Sequence, residues 1–542
     1  MKKRFFLQLF SLICAIFMVA CSGDKKSEAA GKDKGAAASK TEYLKVLPSN
    51  AFAIAEIDMG NLLNKSDIRN NMVVKKGVED ALQDIPEDVR PLVKSLYDNP
   101  NNSGLDITSP IYMAVTSVEP VDVVITLSVC NVNALENILH KLLGPNCVVE
   151  RDGMKFIDIN EDEVQIAYDA DKLVFACGQY YANVLPYMNL AAERMAVNDK
   201  KFASMFNGDD DAKLVFNTEI IMNQLVKEGV ISESEIKPAA EMLKDFSLFA
   251  SLNFEKGYIN LRADINAPAE YTNLINQIIK KPTKRHFKYI PANSIAVLNY
   301  NFDLTQMFPI LESTGVLNEL SKNGIDAESA KKVLQSISGD YTGAIWVNGD
   351  KFSDVQFMFA VDCNDRSIFD MLMAYMTYEF DATIVDNDVY ALNVNKKEVY
   401  DYYRGEYEHV REGYDYYMMY KDGVIMVMPE NLYRNIAING TLSPLQQNIT
   451  NNRIFASMNE NLVIDAAPVR DIVSNSLKNN ARIDDEDKIG LEVLSMIKSL
   501  TLNFNILSFD AKLNLNNADA NSLKVIVDKV TGFFVMSKIL GI

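Results

Sequence analysis

Two apolar periods take turns along this chain. In 111–129 and 248–265 apolar residues fall at every second position, and each stretch is followed by one with three-to-four spacing, 132–143 and 269–279; each pair predicts a β-hairpin leading into a helix. The same pair recurs at 341–361 with 366–375 and at 500–515 with 520–530. A second signature is a strand running straight into a helix: FAIAEIDMGNLLNK from Phe52, LVFNTEIIMNQLVK from Leu214, IAVLNYNFDLTQMF from Ile295 and LVIDAAPVRDIVSN from Leu462. Asp58, Asn217, Asn301 and Asp465 stand at the four junctions, where a short side-chain oxygen accepts a free N–H of the first helical turn; they read as caps, not catalytic acids. Between the two signatures, MKFIDINEDEVQIAYDADKLVFACG from Met154 is a meander whose NEDE and DADK are turns. Antiparallel sheets with helices packed on one face follow, an α+β fold.

These elements come in two sets. YLKVLPSNAFAIAEID from Tyr43 matches FKYIPANSIAVLNYN from Phe287, with Pro48 against Pro291, Asn50 against Asn293 and Ala53 against Ala296. TLSVCNVNALENIL then matches MFAVDCNDRSIFDML, KLVFACGQYYANVLPYMN matches GVIMVMPENLYRNIAING, and FASM at Phe202 recurs at Phe455. So ordered a correspondence marks a tandem duplication of two similar domains, 43–282 and 283–542, each built from strand–helix and hairpin–helix units.

The segment ahead of the first repeat has a different character. Lys2, Lys3 and Arg4 precede an apolar run over 5–20 that closes on Met18-Val19-Ala20-Cys21, the layout of a signal peptide, 1–20, ending at a lipoprotein cleavage site. On this reading Cys21 receives a thioether-linked lipid and a palmitate and becomes the first residue. The run is short for a membrane span. The tether, 21–42, is mostly Gly, Ala, Ser, Lys and Asp with no large apolar residue to pack, and reads as flexible. The expected location is the cell envelope, lipid-anchored to the outer membrane, with its periplasmic or surface side undecided.

Composition adds limits. A net charge of -19 repels nucleic acid and anionic headgroups, so the first membrane contact expected is the lipid anchor, and no nucleic-acid partner is expected. Cys130, Cys147, Cys177 and Cys363 remain after the leader and the anchor; Cys177 sits where the second repeat has Met428, as an apolar filler would, so free buried thiols are the reading. A Cys147–Cys177 bridge is the alternative that an oxidising compartment leaves open.

Catalytic patterns are thin. The only histidines, His140, His286 and His409, lie far apart, and no G-x-S-x-G elbow, H-E-x-x-H helix, C-x-x-C pair or phosphate-binding glycine loop occurs. Acidic clusters stand at Asp209–Asp211, Asp386–Asp388 and Asp484–Asp487. Asp158-x-Asn160-x-Asp162 copies the opening of a calcium loop but has Glu163 where the turn needs Gly and Asp169 where a bidentate Glu belongs, so a solvated hairpin turn is the reading. No cofactor or metal is expected. Trp346 is the single tryptophan, which weakens any saccharide platform.

One stretch belongs to the second repeat alone: KEVYDYYRGEYEHVREGYDYYMMYK over 397–421, with YDYY twice. It reads as an extended hairpin, Tyr400, Tyr402, Tyr403 and Tyr407 toward one arm and Tyr414, Tyr416, Tyr417 and Tyr420 toward the other. Tyrosine offers wide apolar area with a polar tip, which suits a partner-binding surface; packing against the protein itself is the competing reading.

With LPSNAFAIAEID at 47–58, IPANSIAVLNYN at 290–301 and the Cys21 site, the chain resembles a family of uncharacterised Bacteroides-type lipoproteins, the domain of unknown function 4836 family, over nearly its whole mature length. The resemblance implies no activity and carries over no functional residue. The expectation is therefore a non-enzymatic envelope scaffold that binds a protein or glycan partner. The alternatives are a glycan or peptide hydrolase using carboxylates at the domain junction, and a lipid carrier with an apolar cavity between sheet and helices.

Overall fold

The computed structural model describes residues 39–540 apart from short stretches, the longest being 233–245, 443–448 and 479–484; Cys21 and the leader lie outside the described residues. The chain forms two compact units. Unit 1 joins the chain up to Pro268 with Asn517–Ile542, and unit 2 is Ala269–Asn516.

Unit 1 carries β1 (Ala53–Ile57), β2 (Ile111–Val118), β3 (Val121–Ser128), β4 (Val149–Arg151), β5 (Met154–Asn160), β6 (Val164–Tyr168), β7 (Lys172–Gly178), β8 (Ala212–Asn217), β9 (Ser247–Glu255) and β10 (Tyr258–Asn266). All pairings are antiparallel, in the order β4-β5-β6-β7-β3-β2-β1-β8-β9-β10. Alternation sets the faces: Ile54, Ala114, Val124, Val174 and Val215 are buried on one side, each stabilising by roughly 1–3 kcal/mol if counted as a removed aliphatic side chain. That side is closed by short turns carrying Tyr43, Leu47, Phe202 and Met205. On the other, Leu127 of β3 and its register partner Leu173 of β7, with Ile166 of β6, pack under Leu63 of α1 (Met59–Ser66) and Leu135 of α2 (Val132–Leu143).

Unit 2 repeats the scheme with β11 (Ile279–Lys280), β12 (Ser294–Phe302), β13 (Gly339–Val347), β14 (Val355–Asp362), β15 (Thr383–Asp386), β16 (Val389–Leu392), β17 (Lys396–Asp401), β18 (Glu406–Arg411), β19 (Tyr416–Lys421), β20 (Val424–Pro429), β21 (Leu462–Asp465), β22 (Ile497–Phe504) and β23 (Ser508–Leu515). Its order is β15-β16-β19-β20-β14-β13-β12-β21-β22-β23, strand for strand that of unit 1, with β11 added beside β12. Trp346, Met358, Met426 and Val463 fill the first face, beneath the helix Glu430–Asn439 and the turn at Phe287–Ile290. The second face meets α4 (Arg366–Phe380), the helix after the β13–β14 hairpin, through Phe369 and Met373; α3 (Ala269–Ile278) follows the β9–β10 hairpin. The fold is thus α+β and antiparallel, and the hairpin–helix and strand–helix units stand where the alternation predicts them. Helix also covers the opposite face of unit 2, since Leu432 and Ile436 of Glu430–Asn439 are buried there.

The compact units do not follow the repeat boundary expected at 282/283. The helix that closes the first repeat, α3, belongs to unit 2, and α5 (Ser522–Leu540), which closes the second, belongs to unit 1. Polar contacts hold α5 and its approach in place. Gly257 N–H donates to Ala520 O (3.0 Å), Asn521 Nδ2 to Phe254 O (2.8 Å), and Lys524 pairs with Asp67 (2.9 Å). Asn71 Nδ2 reaches Asp528 (3.0 Å) and Thr531 (3.1 Å). Gly257 has φ +78°, and a Cβ there would sit 2.8 Å from Ala518 Cα, so this turn demands glycine twice over, for its backbone and for the approach of 517–521.

Candidate functional site

Comparison of equivalent strands locates what the second repeat adds. In unit 1, β5 and β6 are joined across residues 161–163; in unit 2 the equivalent β16 and β19 are joined across 393–415. Within that insertion β17 and β18 pair with each other, Lys396↔Arg411 to Asp401↔Glu406, as a two-stranded sheet of their own. Tyr400 and Tyr407 are register partners in it, and His409 faces Glu398 in register. Tyr402, Tyr403 and Tyr414 lie outside the described residues.

The remaining tyrosines correct the expected hairpin. Its second arm is Glu406–Arg411, and Tyr416, Tyr417 and Tyr420 belong instead to β19, paired on both sides inside the main sheet. Tyr416 is buried, stacks on Phe357 (4.4 Å between centroids) and accepts a hydrogen bond from Phe357 N–H (3.3 Å). Tyr417 stacks on Tyr433 (4.6 Å), and the Tyr420 hydroxyl donates to Cys363 O (3.1 Å). These three pack the protein itself, because the alternation that marks a projecting arm also marks a core strand flanked by sheet.

The titratable groups inside the sheets form two networks at equivalent places. In unit 1 Lys213 Nζ donates to Glu56 Oε1 (3.0 Å), Gly208 O (3.0 Å) and Met205 O (3.2 Å), with side chains only 2% and 4% exposed for Lys213 and Glu56. Burial pushes the Glu56 carboxyl up, and Lys213 opposes it. Tyr43 and Tyr112 beside it are raised too, by burial first and by the Glu56 charge second. All three ammonium protons of Lys213 have acceptors and the site is closed to solvent, so it pins the 205–208 turn to the sheet and offers no group to a substrate.

In unit 2 the strand position of Glu56 is taken by Asn299, and that of Tyr112 by Thr342. The Thr342 hydroxyl donates to Asn299 Oδ1 (3.0 Å) and meets His286 Nδ1 (3.1 Å), while His286 Nε2 meets Asp362 Oδ1 (3.0 Å). Arg285 also pairs with Asp362 (2.9 Å), which accepts from Asp340 N–H (2.9 Å). Burial works to raise Asp362, yet the hydrogen bonds from His286 and Asp340 and the nearby Arg285 charge outweigh it and hold the carboxyl below its ordinary value. His286 is fully buried, a core histidine tying the 285–289 turn to β13 and β14.

Of the four junction residues, Asp58 caps its helix through Asn61 N–H (2.8 Å) and Asp465 through Ala467 N–H (3.0 Å). Asn301 instead donates to Asp340 (2.6 Å), and Asn217 is buried. Among the described residues Glu56 and Asp465 are the carboxylates pushed upward, Asp465 by burial against the Ala467 bond, and they belong to different units. In the acidic runs Asp211 is buried against Lys65 (2.8 Å) and Asp388 pairs with Arg366, while Asp484 lies outside the described residues and the helix Asp485–Met496 begins directly after it. Asp158 and Asn160 lie in β5, where Asn160 pairs with Val164; Asp162 and Glu163 lie outside the described residues, and Asp169 accepts from Asp171 and Lys172 N–H between β6 and β7. No three metal-ligating side chains come together among the described residues.

The four cysteines are free, with no Cys147–Cys177 bridge; Cys363 is buried, Cys147 and Cys177 are half-buried, and Cys130 is exposed where a buried thiol was expected. Burial pushes the Cys177 thiol up to about 11. Trp346 is buried, its Nε1 donating to Gln356 (3.1 Å). Two features sequence reading missed are apolar. Ile345, Val355, Phe357 and Phe359 share one face of β13 and β14 and stay half-exposed, and Met371, Tyr375 and Tyr378 line the outer side of α4. No described helix is long and apolar enough to cross a membrane.

Residues 43–523 match the sequence profile of the family described as Domain of unknown function (DUF4836). No curated protein matches. Solved structures of TP0453 in crystal forms III and I are similar to this chain at 10% identity with TM-scores of 0.22 and 0.23; each match covers 44% of this chain and 88% and 86% of the other. That likeness is too slight to define a shared fold.

Proposed function

The chain belongs to the DUF4836 family, and on that premise we propose that it is a lipid-anchored, non-enzymatic binding module of the cell envelope that holds a protein partner with the β17–β18 ribbon. The observation that carries this reading is the insertion at 393–415 in a sheet that unit 1 completes with residues 161–163 alone. A two-stranded ribbon is at best marginally stable by itself and is not hydrogen-bonded into the ten-strand ladder, which favours a use outside the fold. Tyr400, Tyr407, Arg404 and Arg411 are residue types enriched at protein interfaces. A glycan partner has less support, the one tryptophan being buried in the core. The hydrolase reading loses its support as well, because Glu56 and Asp465 are spent on an ion pair and a cap in separate units.

The test replaces 393–415 with the Glu161-Asp162-Glu163 turn of the first repeat, which spares β19. Amine-reactive crosslinking in native membranes should give one discrete adduct with the intact protein and none with the variant, while Trp346 fluorescence reports unchanged unfolding of unit 2. Equal adducts, or none with either protein, would sink the reading. Mass measurement of the membrane-extracted protein separately tests the acylated Cys21.

One observation favours a second reading, carriage of an apolar ligand: the half-exposed Ile345, Val355, Phe357 and Phe359. Organic extraction of the purified protein should then release stoichiometric lipid.

A further inference from the structure

The helix α4 is apolar on two sides. Phe369 and Met373 point into the core with Leu372 and Met376 beside them. On the outer side Met371 is 58% exposed, Tyr375 57% and Tyr378 84%, and Ile384, just beyond the helix, is 73% exposed. The spacing i, i+4, i+7 sets Met371, Tyr375 and Tyr378 in one stripe, and no residue from Met371 to Tyr378 is charged. A helix apolar all round is normally covered on every side.

We propose that this stripe rests on the surface of the bilayer that holds the anchor, with Met371 in the acyl boundary and the Tyr375 and Tyr378 hydroxyls among the headgroups. The inference rests on the reading of Cys21 as lipidated. The argument for this occupant is the chain ahead of the fold. Residues 22–38 separate Cys21 from the first described element, and a segment of that length reaches at most about 60 Å. A chain held within that reach meets the bilayer at high effective concentration, which adds to an apolar contact that binds lipid by itself. Tyrosine with methionine and isoleucine is the composition of an interfacial surface, and the absence of Lys and Arg from the stripe matches neutral lipid rather than anionic lipid. The net charge of -19 acts in the same direction.

The experiment uses the full mature chain with Cys21→Ala, so that the anchor cannot itself hold vesicles. Flotation with zwitterionic phosphatidylcholine–phosphatidylethanolamine vesicles should carry the protein up, and vesicles containing phosphatidylglycerol should carry less. Met371→Glu with Tyr378→Glu should weaken zwitterionic binding at least tenfold. Tyr378→Ala alone, at a position too exposed to disturb folding, should weaken it severalfold with an unchanged melting temperature. No flotation of the parent, or equal flotation of both variants, overturns the inference. So does a parent of doubled mass in solution that the variants return to monomer, because the stripe would then be covered by a second copy. Failure of the Cys21 reading shows separately, as the absence of acyl mass on the membrane-extracted protein.

Discussion

Replacing Lys213 with Met tests the account of the buried network in unit 1. The substitution takes from the Glu56 carboxyl, 4% exposed, the ammonium that pairs with it, and from the Met205 and Gly208 carbonyls the Nζ that donates to them. Keeping Glu56 charged there is costly, so the folded variant takes up a proton, and its Glu56 pKa rises further above the unfolded value. A raised folded pKa means stability is complete below the unfolded pKa of about 4.3 and is lost as pH rises towards the folded one. Relative to the unfolded chain a fully retained proton costs up to about 3.7 kcal/mol at pH 7 and up to about 1 kcal/mol at pH 5, at about 1.36 kcal/mol per unit, and the parent's raised carboxyl already carries part of it. Two unpaired carbonyls add roughly 1–2 kcal/mol at either pH. Urea unfolding followed by circular dichroism should therefore show the unit 1 transition lowered by up to ~2 M at pH 7 and by less, under ~1 M, at pH 5. Trp346 lies in unit 2, so its fluorescence gives an internal reference. Adding Glu56→Gln should restore most of the loss at pH 7. A loss that is the same at both pH values, or that Glu56→Gln does not relieve, would refute the claim that Lys213 chiefly neutralises a buried carboxylate.

Other outcomes follow from the same geometry. His286→Ala removes the links to Asp362 and Thr342 and should cost unit 2 roughly 2–4 kcal/mol by Trp346 fluorescence. Because Asp362 is held low in the parent, unit 2 loses stability as pH falls through that lowered value, and the variant should lose it at higher pH. Gly257→Ala should destabilise unit 1 by more than about 1 kcal/mol and speed hydrogen exchange in α5, whereas Gly77→Ala, in the open interior of the helix Met72–Asp84, should stabilise by roughly 0.5–1 kcal/mol. In thiol titration of the native protein Cys130 should react first and Cys363 only on unfolding; reaction of fewer than four thiols in denaturant would reveal a bridge.

The hairpins, the strand–helix junctions and the duplication are legible in the sequence because each depends on local period or on self-similarity. What decides the rest is non-local. Tyr416 and Tyr400 sit in the same kind of alternation, but Tyr416 has a neighbouring strand on each side, and only pairing partners distinguish them. Lys213 hides in AKLVFN, where both alternating sets carry apolar residues, so the inward set that includes Lys213 is not marked. Asn301 resembles its cap-forming counterpart Asp58 and is drawn instead to Asp340, a residue of the neighbouring strand. Nor does the amphipathic pattern of 520–530 state which sheet it will cover. The exposed stripe of α4 is written in the sequence, yet an apolar helix with two apolar sides reads as simply buried until its neighbours are known.

Unit 1 consists of two stretches of chain that synthesis separates by the whole of unit 2. As the polypeptide is made from its amino end, residues up to Pro268 arrive long before Asn517–Leu540, and α1 and the β9–β10 hairpin wait for their last helix throughout. The early half is then left unfinished, lacking the helix that completes it, while the later unit already has every part it needs. A premature stop near residue 516 would accordingly inflict its damage at the opposite end of the molecule, sparing the newest sheet and condemning the oldest.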